Sequence, residues 1–376
     1  MNRNTWIWIG VAAAVVLVIV LIAVASGGDD EETTAGDTTT TVTEEVEETT
    51  TTAGEETTTT AGEATTTTAG EETTTTAAAE TFSIAIVAPS ASNDLAFTQS
   101  IVDAITLIQG ERGNIDVQIT DGTFVVEDAA AAIRAYADEG VDLVIAHGSQ
   151  YGGSLQEIAP DFPDTSFAWG TAADTFGLPN VFAYEAASDE GGYVMGTIGG
   201  QLTESGIIGI VGPVEVGDAK LYVDGYQLGA EAEGANVLVS YTGSFSDVAL
   251  ASENASAFAA QNADVMSGTA QMVVGAITVA NDEGILWFGT QANQTSLAPS
   301  IVVASQVYHW EVVMNEIIDL VQTGTLGGNV YEINLENTGL VIEYNPDFPL
   351  PDEVRAAADA TIADVIAGNV VTRVEG

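Results

Sequence analysis

The chain from Phe82 onward predicts an α/β fold of two lobes, each a parallel sheet with helices on both faces. Three observations carry that expectation. Short β-branched runs alternate with Ala-rich stretches at helical spacing, the alternation starts afresh near Ser188, and about 300 residues exceed a single α/β core.

In the first lobe, the apolar run 82–88 reads as a buried strand. A helix over 94–109 follows, its apolar residues three and four apart. Strand 115–120, the Ala-rich helix 126–139 and strand 143–146 repeat the unit. A short helix at 153–159 precedes strands 166–169 and 181–184. The second lobe opens with helix 188–202 and strand 207–211. Helix 219–232, strand 236–241, helix 247–262 and strand 264–266 continue it. Helix 273–282 then leads to strand 285–288 and strand 301–306. Helix 311–323, two strand-like pieces (330–334 and 339–344) and a helix over 351–367 complete the chain. Lobe 1 is mainly 82–187 and lobe 2 mainly 188–305, with segments of 306–376 crossing between them. Strands of such sheets direct ligands to the crevice beyond their carboxyl ends, so two facing lobes make a cleft.

Composition narrows the chemistry. With no cysteine, the chain has no disulfide, thiolate metal site, thiol nucleophile or lipidated cysteine. A formal net charge of −49 repels phosphate backbones and excludes nucleic acid as a partner. The single lysine, Lys220, lacks the flanking residues of a phosphate-binding loop. Residues 81–376 alone hold 40 acids against 5 bases, so the charge is not confined to one tail. Such a surface fits an ion-rich exterior, where screening is short, and equally a surface tuned for solubility.

Two segments precede the folded part. Residues 1–28 contain an apolar run of 21 residues from Trp6 to Ser26, about 31 Å of helix and enough to span a bilayer. Arg3 before it and Asp29–Glu32 after it place the N-terminus inside and the remainder outside. An uncleaved anchor is the preferred reading; the rival is a cleaved signal, since Ala23-Val24-Ala25 offers a cleavage site. Both export the rest of the chain. Residues 29–80 are acidic and Thr-rich, and repeat every eight residues from Thr49. Lacking apolar bulk, they read as a disordered stalk of about 40 Å or more.

No catalytic constellation stands out: there is no nucleophile elbow, no zinc-protease motif, and no acid–base pair distinguishable among 55 acids. Asp161 and Asp164 read as solvated surface sooner than a cation site. The glycines of Gly206-Ile-Ile-Gly209-Ile-Val-Gly212 lie on a strand and lack the close pair that admits a pyrophosphate. No metal and no cofactor are expected. The strand ends carry more information. Asn93, Asp94 and Phe97 follow the first strand, and His147-Gly148 follow the third. Phe245 and Gln291 stand at corresponding places in the second lobe. An aromatic at each lobe's mouth, with amides and hydroxyls beside it, suits a flat polar ligand. Asp94 as a helix cap and Phe97 as core are the structural alternatives.

These segments resemble the BMP family, basic-membrane-protein-like substrate-binding proteins of ABC transporters, several of which bind purine nucleosides. Asn93-Asp94-x-x-Phe97-x-Gln99-Ser100 is similar to the family's N-D-x-x-F-N-Q-S. Glu190-Gly191-Gly192-Tyr193 through Gly212 is similar to its E-G-x-x-x-G and T-G-x-I-G-F-V-G elements. Asp142–Ala146, Tyr241–Asp247 and Ala263–Val265 match in order and spacing, so the resemblance covers residues 82–345. It implies a two-lobed, hinged type I periplasmic-binding-protein fold. It also implies that Phe97 and Phe245 sandwich a base whose edge meets Asn93 and Asp94. His147, Gly148, Trp169 and Gly268 are further wall candidates. Two positions depart from the nucleoside-binding pattern: Gln291 stands for an aspartate and Tyr308 for a lysine. A neutral pair in place of a charged one changes which hydroxyl pattern is rewarded.

The expected function is extracytoplasmic binding of a nucleoside-like or sugar-like solute by a monomer that hands it to an ABC permease. The alternative is a membrane-anchored sensor or adhesive protein that keeps the fold without transport. An enzyme is not expected.

Overall fold

The computed structural model describes residues 81–373. The proposed anchor (1–28) and stalk (29–80) lie outside the described residues. Among those described, no helix is long and apolar enough to cross a membrane.

The first sheet contains β1 (Phe82–Val87), β2 (Ile115–Thr120), β3 (Leu143–Ala146), β4 (Ser166–Gly170), β5 (Val181–Ala186) and β11 (Val330–Ile333). The second contains β6 (Ile207–Gly212), β7 (Asn236–Tyr241), β8 (Val265–Gly268), β9 (Leu286–Gln291), β10 (Val302–Tyr308) and β12 (Leu340–Tyr344). Their orders are β11-β5-β4-β3-β1-β2 and β12-β10-β9-β8-β6-β7. The two sheets therefore match strand for strand. All pairings are parallel except β10 with β12. The restart of the pattern near Ser188 is this duplication.

Between the strands run α1 (Phe97–Arg112), α2 (Val126–Glu139), α3 (Gly152–Ile158), α4 (Ser188–Leu202) and α5 (Gly217–Ala232). Then come α6 (Val248–Ala259), α7 (Val273–Glu283), α8 (Glu311–Gln322) and α9 (Asp352–Ile366). Side chains alternate across each sheet as a period of two requires. Ile84 and Ile86 of β1 face one apolar cluster, Ala85 and Val87 the other. Likewise Phe288 and Trp287 of β9 point to opposite faces. Both faces are buried, as parallel sheets demand.

The chain passes between lobes three times: from β5 into α4, from β10 into α8, and from β11 to β12. Trp310 sits at the second passage, fully buried, its indole N–H donating to Ser100 Oγ of α1 at 2.9 Å. Near the first passage, Arg373 pairs with Asp189 of α4 (2.8 Å) and with Glu332 of β11 (2.9 Å).

Helices α4 and α5 touch backbone to backbone. A Cβ on Gly196 would stand 2.1 Å from Tyr226 O, and one on Gly229 would stand 2.1 Å from Tyr193 O. Only glycine permits that approach, which holds the N-terminus of α5 in a fixed place.

Two boundaries differ from expectation for identifiable reasons. The helix expected from residue 94 begins at Phe97 because the Asp94 carboxylate takes the amides of Ala96, Thr98 and Gln99 (2.9–3.2 Å) as a cap set ahead of the first turn. β10 runs to Tyr308, two residues further than expected, because antiparallel pairing with β12 extends to Leu340.

Candidate functional site

The carboxyl ends of the two sheets meet across a cleft of about 400 Å³, its mouth included. Lobe 1 contributes Pro89, Phe97, Phe124, Gln150 and Thr171; lobe 2 contributes Asp218, Phe245, Ala270, Gln271 and Gln291. Thr171, Ala270 and Gln291 have φ of 56°, 73° and 73°, a left-handed conformation uncommon for residues with a side chain. Gln291 ends β9, Thr171 follows β4 and Ala270 lies two residues beyond β8, and strain of this kind concentrates where a fold presents groups to a ligand.

The lobe 1 wall rests on a stack of rings. Phe97, 8 % exposed, lies flat on the His147 imidazole with centroids 3.9 Å apart. His147 Nε2 lies 3.2 Å from the Phe97 carbonyl oxygen, and Nδ1 lies 2.7 Å from the Tyr184 hydroxyl. A carbonyl only accepts, so the proton belongs on Nε2 and Tyr184 donates to Nδ1. Burial pushes the His147 pKa down to about 3, against a smaller upward pull from the Phe97 carbonyl. The ring is therefore neutral near pH 7. Trp310 meets His147, Tyr184 and Tyr308 edge-on, closing the stack at the hinge.

The lobe 2 wall sets buried polar groups beside Phe245. Asp218, 6 % exposed, lies in the first turn of α5 and accepts from the Tyr308 hydroxyl at 3.3 Å. Burial raises its pKa to about 6, and hydrogen bonds from Tyr308 and Gln291 pull it partway back. Gln291 is 3 % exposed, and its carboxamide oxygen has no partner; the Gln271 oxygen is also buried and unpaired. Across the rim, Gln294 Nε2 donates to the Leu95 carbonyl at 3.3 Å, a direct link between lobes.

Of the residues singled out from sequence, Phe97, Phe245 and Gln291 line the cleft together. Tyr308 stands behind Asp218, and His147 behind Phe97. Asn93 is exposed and outside the lining. Both oxygens of Asp94 are engaged with backbone amides, and Oδ2 also accepts from Ser90 Oγ at 2.5 Å. Trp169 donates to the Gly148 carbonyl at 3.1 Å and packs under Phe176, one layer behind the lining. Gly268 ends β8, where a Cβ would come within 2.8 Å of Val211 O. Asp161 pairs with Arg134 at 3.0 Å. Among the described residues no three acids or histidines gather as metal ligands would.

Sequence reasoning missed Asp218 and Gln271. Asp218 stood just ahead of the helix expected over 219–232, where an acid is favoured by the helix dipole. Gln271 was findable by symmetry. It follows β8 as Ser149 and Gln150 follow β3, and the two strands pair equivalently with β6 and β1.

Comparison with known proteins agrees with this architecture. Residues 81–365 match the family model Bmp, described as ABC transporter substrate-binding protein PnrA-like. A purine-binding protein of Brucella abortus is 28 % identical over 65 % of this chain and 69 % of its own length. The transcriptional activator protein med of Bacillus subtilis is 25 % identical over 72 % of this chain and 84 % of its own. Among solved structures, an ABC transporter solute-binding protein from Aeropyrum pernix superimposes with a TM-score of 0.67 at 18 % identity, covering 78 % of this chain and 94 % of that one. One from Conexibacter woesei gives 0.64 at 24 %, covering 78 % and 98 %. The fold is thus the two-lobed type I fold of periplasmic solute-binding proteins, and the chain belongs to the Bmp family of PnrA-like ABC transporter substrate-binding proteins.

Proposed function

We propose that the protein takes a nucleoside-like molecule in the interlobe cleft, outside the cell, and delivers it to an ABC permease. The observation that carries this reading is the pair Phe97 and Phe245, brought from opposite lobes to one cleft beside buried amides. Two aromatic faces accept a planar ring and polar edges orient it. A relative named as purine-binding supports the ligand class. The mechanism is a shift in population: ligand contacts on both walls favour the closed lobes, and no bond is made. The apolar segment 1–28 would hold the domain at the membrane and residues 29–80 would project it.

The test is calorimetry and thermal shift on the full chain in detergent, at low and high salt, against purine and pyrimidine nucleosides, free bases and sugars. A ligand at about 100 times its Kd adds roughly 2.7 kcal/mol, a shift of a few degrees. A nucleoside response supports the reading. A response to sugars alone keeps the receptor and discards its ligand. Silence from folded protein favours the second reading, a surface sensor or adhesive protein without transport; one relative of this chain carries a name other than a transport protein's, that of a transcriptional activator.

A further inference from the structure

The lobe 2 wall gathers acceptors, one of them charged and two without a partner. Asp218 offers a carboxylate that is 6 % exposed, and Gln291, 3 % exposed, offers a buried oxygen with no partner. The Gln271 oxygen, on the same wall, is likewise buried and unpaired. All three are acceptors. No basic side chain lines the cleft. The bases among the described residues are engaged elsewhere, Arg112 with Asp319, Arg134 with Asp161, Lys220 with Asp224, Arg355 with Asp359, and Arg373 with Asp189. An anionic ligand would meet a like charge and no counter-charge, whereas a hydroxyl or amine donor would satisfy the orphaned Gln271 or Gln291 oxygen or add to the donors that Asp218 already holds.

We propose that Asp218, with Gln291 and Gln271, forms a donor-reading wall, and that Asp218 is the residue that sets specificity. The wall selects an uncharged or cationic solute bearing two or more hydroxyl or amine donors and refuses its phosphorylated form. The inference rests on the solute-binding reading above but not on the ligand being a nucleoside. The groups facing Asp218 come from several elements: Tyr308 of β10 donates to it, Gln291 of β9 lies beside it, and Glu185 of β5 acts on the same charge cluster. Ser188 of α4 donates to its backbone carbonyl at 2.6 Å. These contacts fix the carboxyl group and leave it open towards the cleft.

The experiment is calorimetry on the full chain and its Asp218→Asn and Gln271→Met variants, with adenosine, adenosine 5′-monophosphate, adenine and D-ribose as probes. The wild type is expected to bind adenosine at least 10-fold more tightly than the monophosphate. Asp218→Asn is expected to lose at least 10-fold for adenosine and to narrow that ratio, and Gln271→Met to lose about 3-fold. Melting of the unliganded variants checks that they fold. Should Asp218→Asn melt early, Gln271→Met and the wild-type ratio decide. A variant that binds adenosine as the wild type does, or a wild type that prefers the monophosphate, overturns the donor-reading wall and leaves the receptor standing. Binding of ribose alone, lost in Asp218→Asn, keeps the wall and discards the nucleoside. A folded wild type that ignores all four probes overturns both.

Discussion

The lobe 1 and lobe 2 walls come from matching strands of matching sheets, yet they solve opposite problems. In lobe 1 the polar groups satisfy one another: Asp94 holds three backbone amides, Thr98 Oγ1 lies 2.7 Å from Ser90 Oγ, and His147 is bonded at both nitrogens. What that lobe presents to the cleft is Phe97 and Phe124 beside Pro89, Ser149, Gln150 and Thr171. In lobe 2 the acceptors Gln271 and Gln291 are buried and unpaired beside a buried carboxylate. One wall has its hydrogen bonds made within the protein, and the other keeps two acceptor oxygens unpaired. Each lobe brings one aromatic, Phe97 or Phe245, so the duplicated fold repeats the ring and varies the polar groups around it.

The sharpest way to separate the walls is by pH, because their buried titratable groups carry opposite signs. His147 is held near 3, below its usual 6.5, so the unfolded chain binds more protons than the native one between those values. Its contribution to stability is complete above pH 6.5 and is lost as pH falls towards 3, on the order of 5 kcal/mol in all. His147→Gln should flatten that decline in urea unfolding between pH 7 and 4. A variant profile parallel to the wild type would remove the histidine as its source. Next in size is the backing of the lobe 2 wall. Gly196→Ala drives a Cβ to 2.1 Å from Tyr226 O, so about 3 kcal/mol of stability should be lost, read by the same unfolding.

Asp218 has the reverse sign to His147. Its pKa is raised from 3.8 to about 6, so the native state binds the extra proton between those values. It therefore costs stability as pH rises through that window, roughly 2–3 kcal/mol above pH 6. Asp218→Asn should remove this cost, making the unliganded protein no less stable at pH 7 while weakening binding. On the lobe 1 side, Phe97→Ala should lose roughly 1–3 kcal/mol of affinity for a stacked ligand in calorimetry. Unchanged affinity with lost stability would make Phe97 core alone. The smallest effect on binding is expected at the link between lobes: Gln294→Met removes the bond to Leu95 O and should weaken binding by about 1 kcal/mol without changing ligand preference. Unfolding should show lost stability in this variant, because the Trp287 indole N–H loses its acceptor at 3.0 Å.

Much of the architecture was readable from pattern. Continuous apolar runs such as 82–88 and 207–211 specify strands buried on both faces, because side chains of either parity along the strand then meet an apolar layer. Motif spacing likewise placed Phe97, Phe245 and Gln291 at strand ends, and strand ends converge on one crevice. The role of Asp94 was not legible, since an acid before a helix suits a cap and a ligand edge equally; only the positions of three amides distinguish them. Asp218 was invisible for a related reason. Its burial depends on α5 being pressed to α4 at glycines about 30 residues apart in sequence, and on Tyr308 arriving from β10. The sequence by itself determined the elements, the duplication and the acidity, all of which follow from local period and composition. Tertiary structure alone decided which carboxyl groups are spent on backbone amides and which remain open, because hydrogen-bond partners and desolvation come from neighbours distant along the chain.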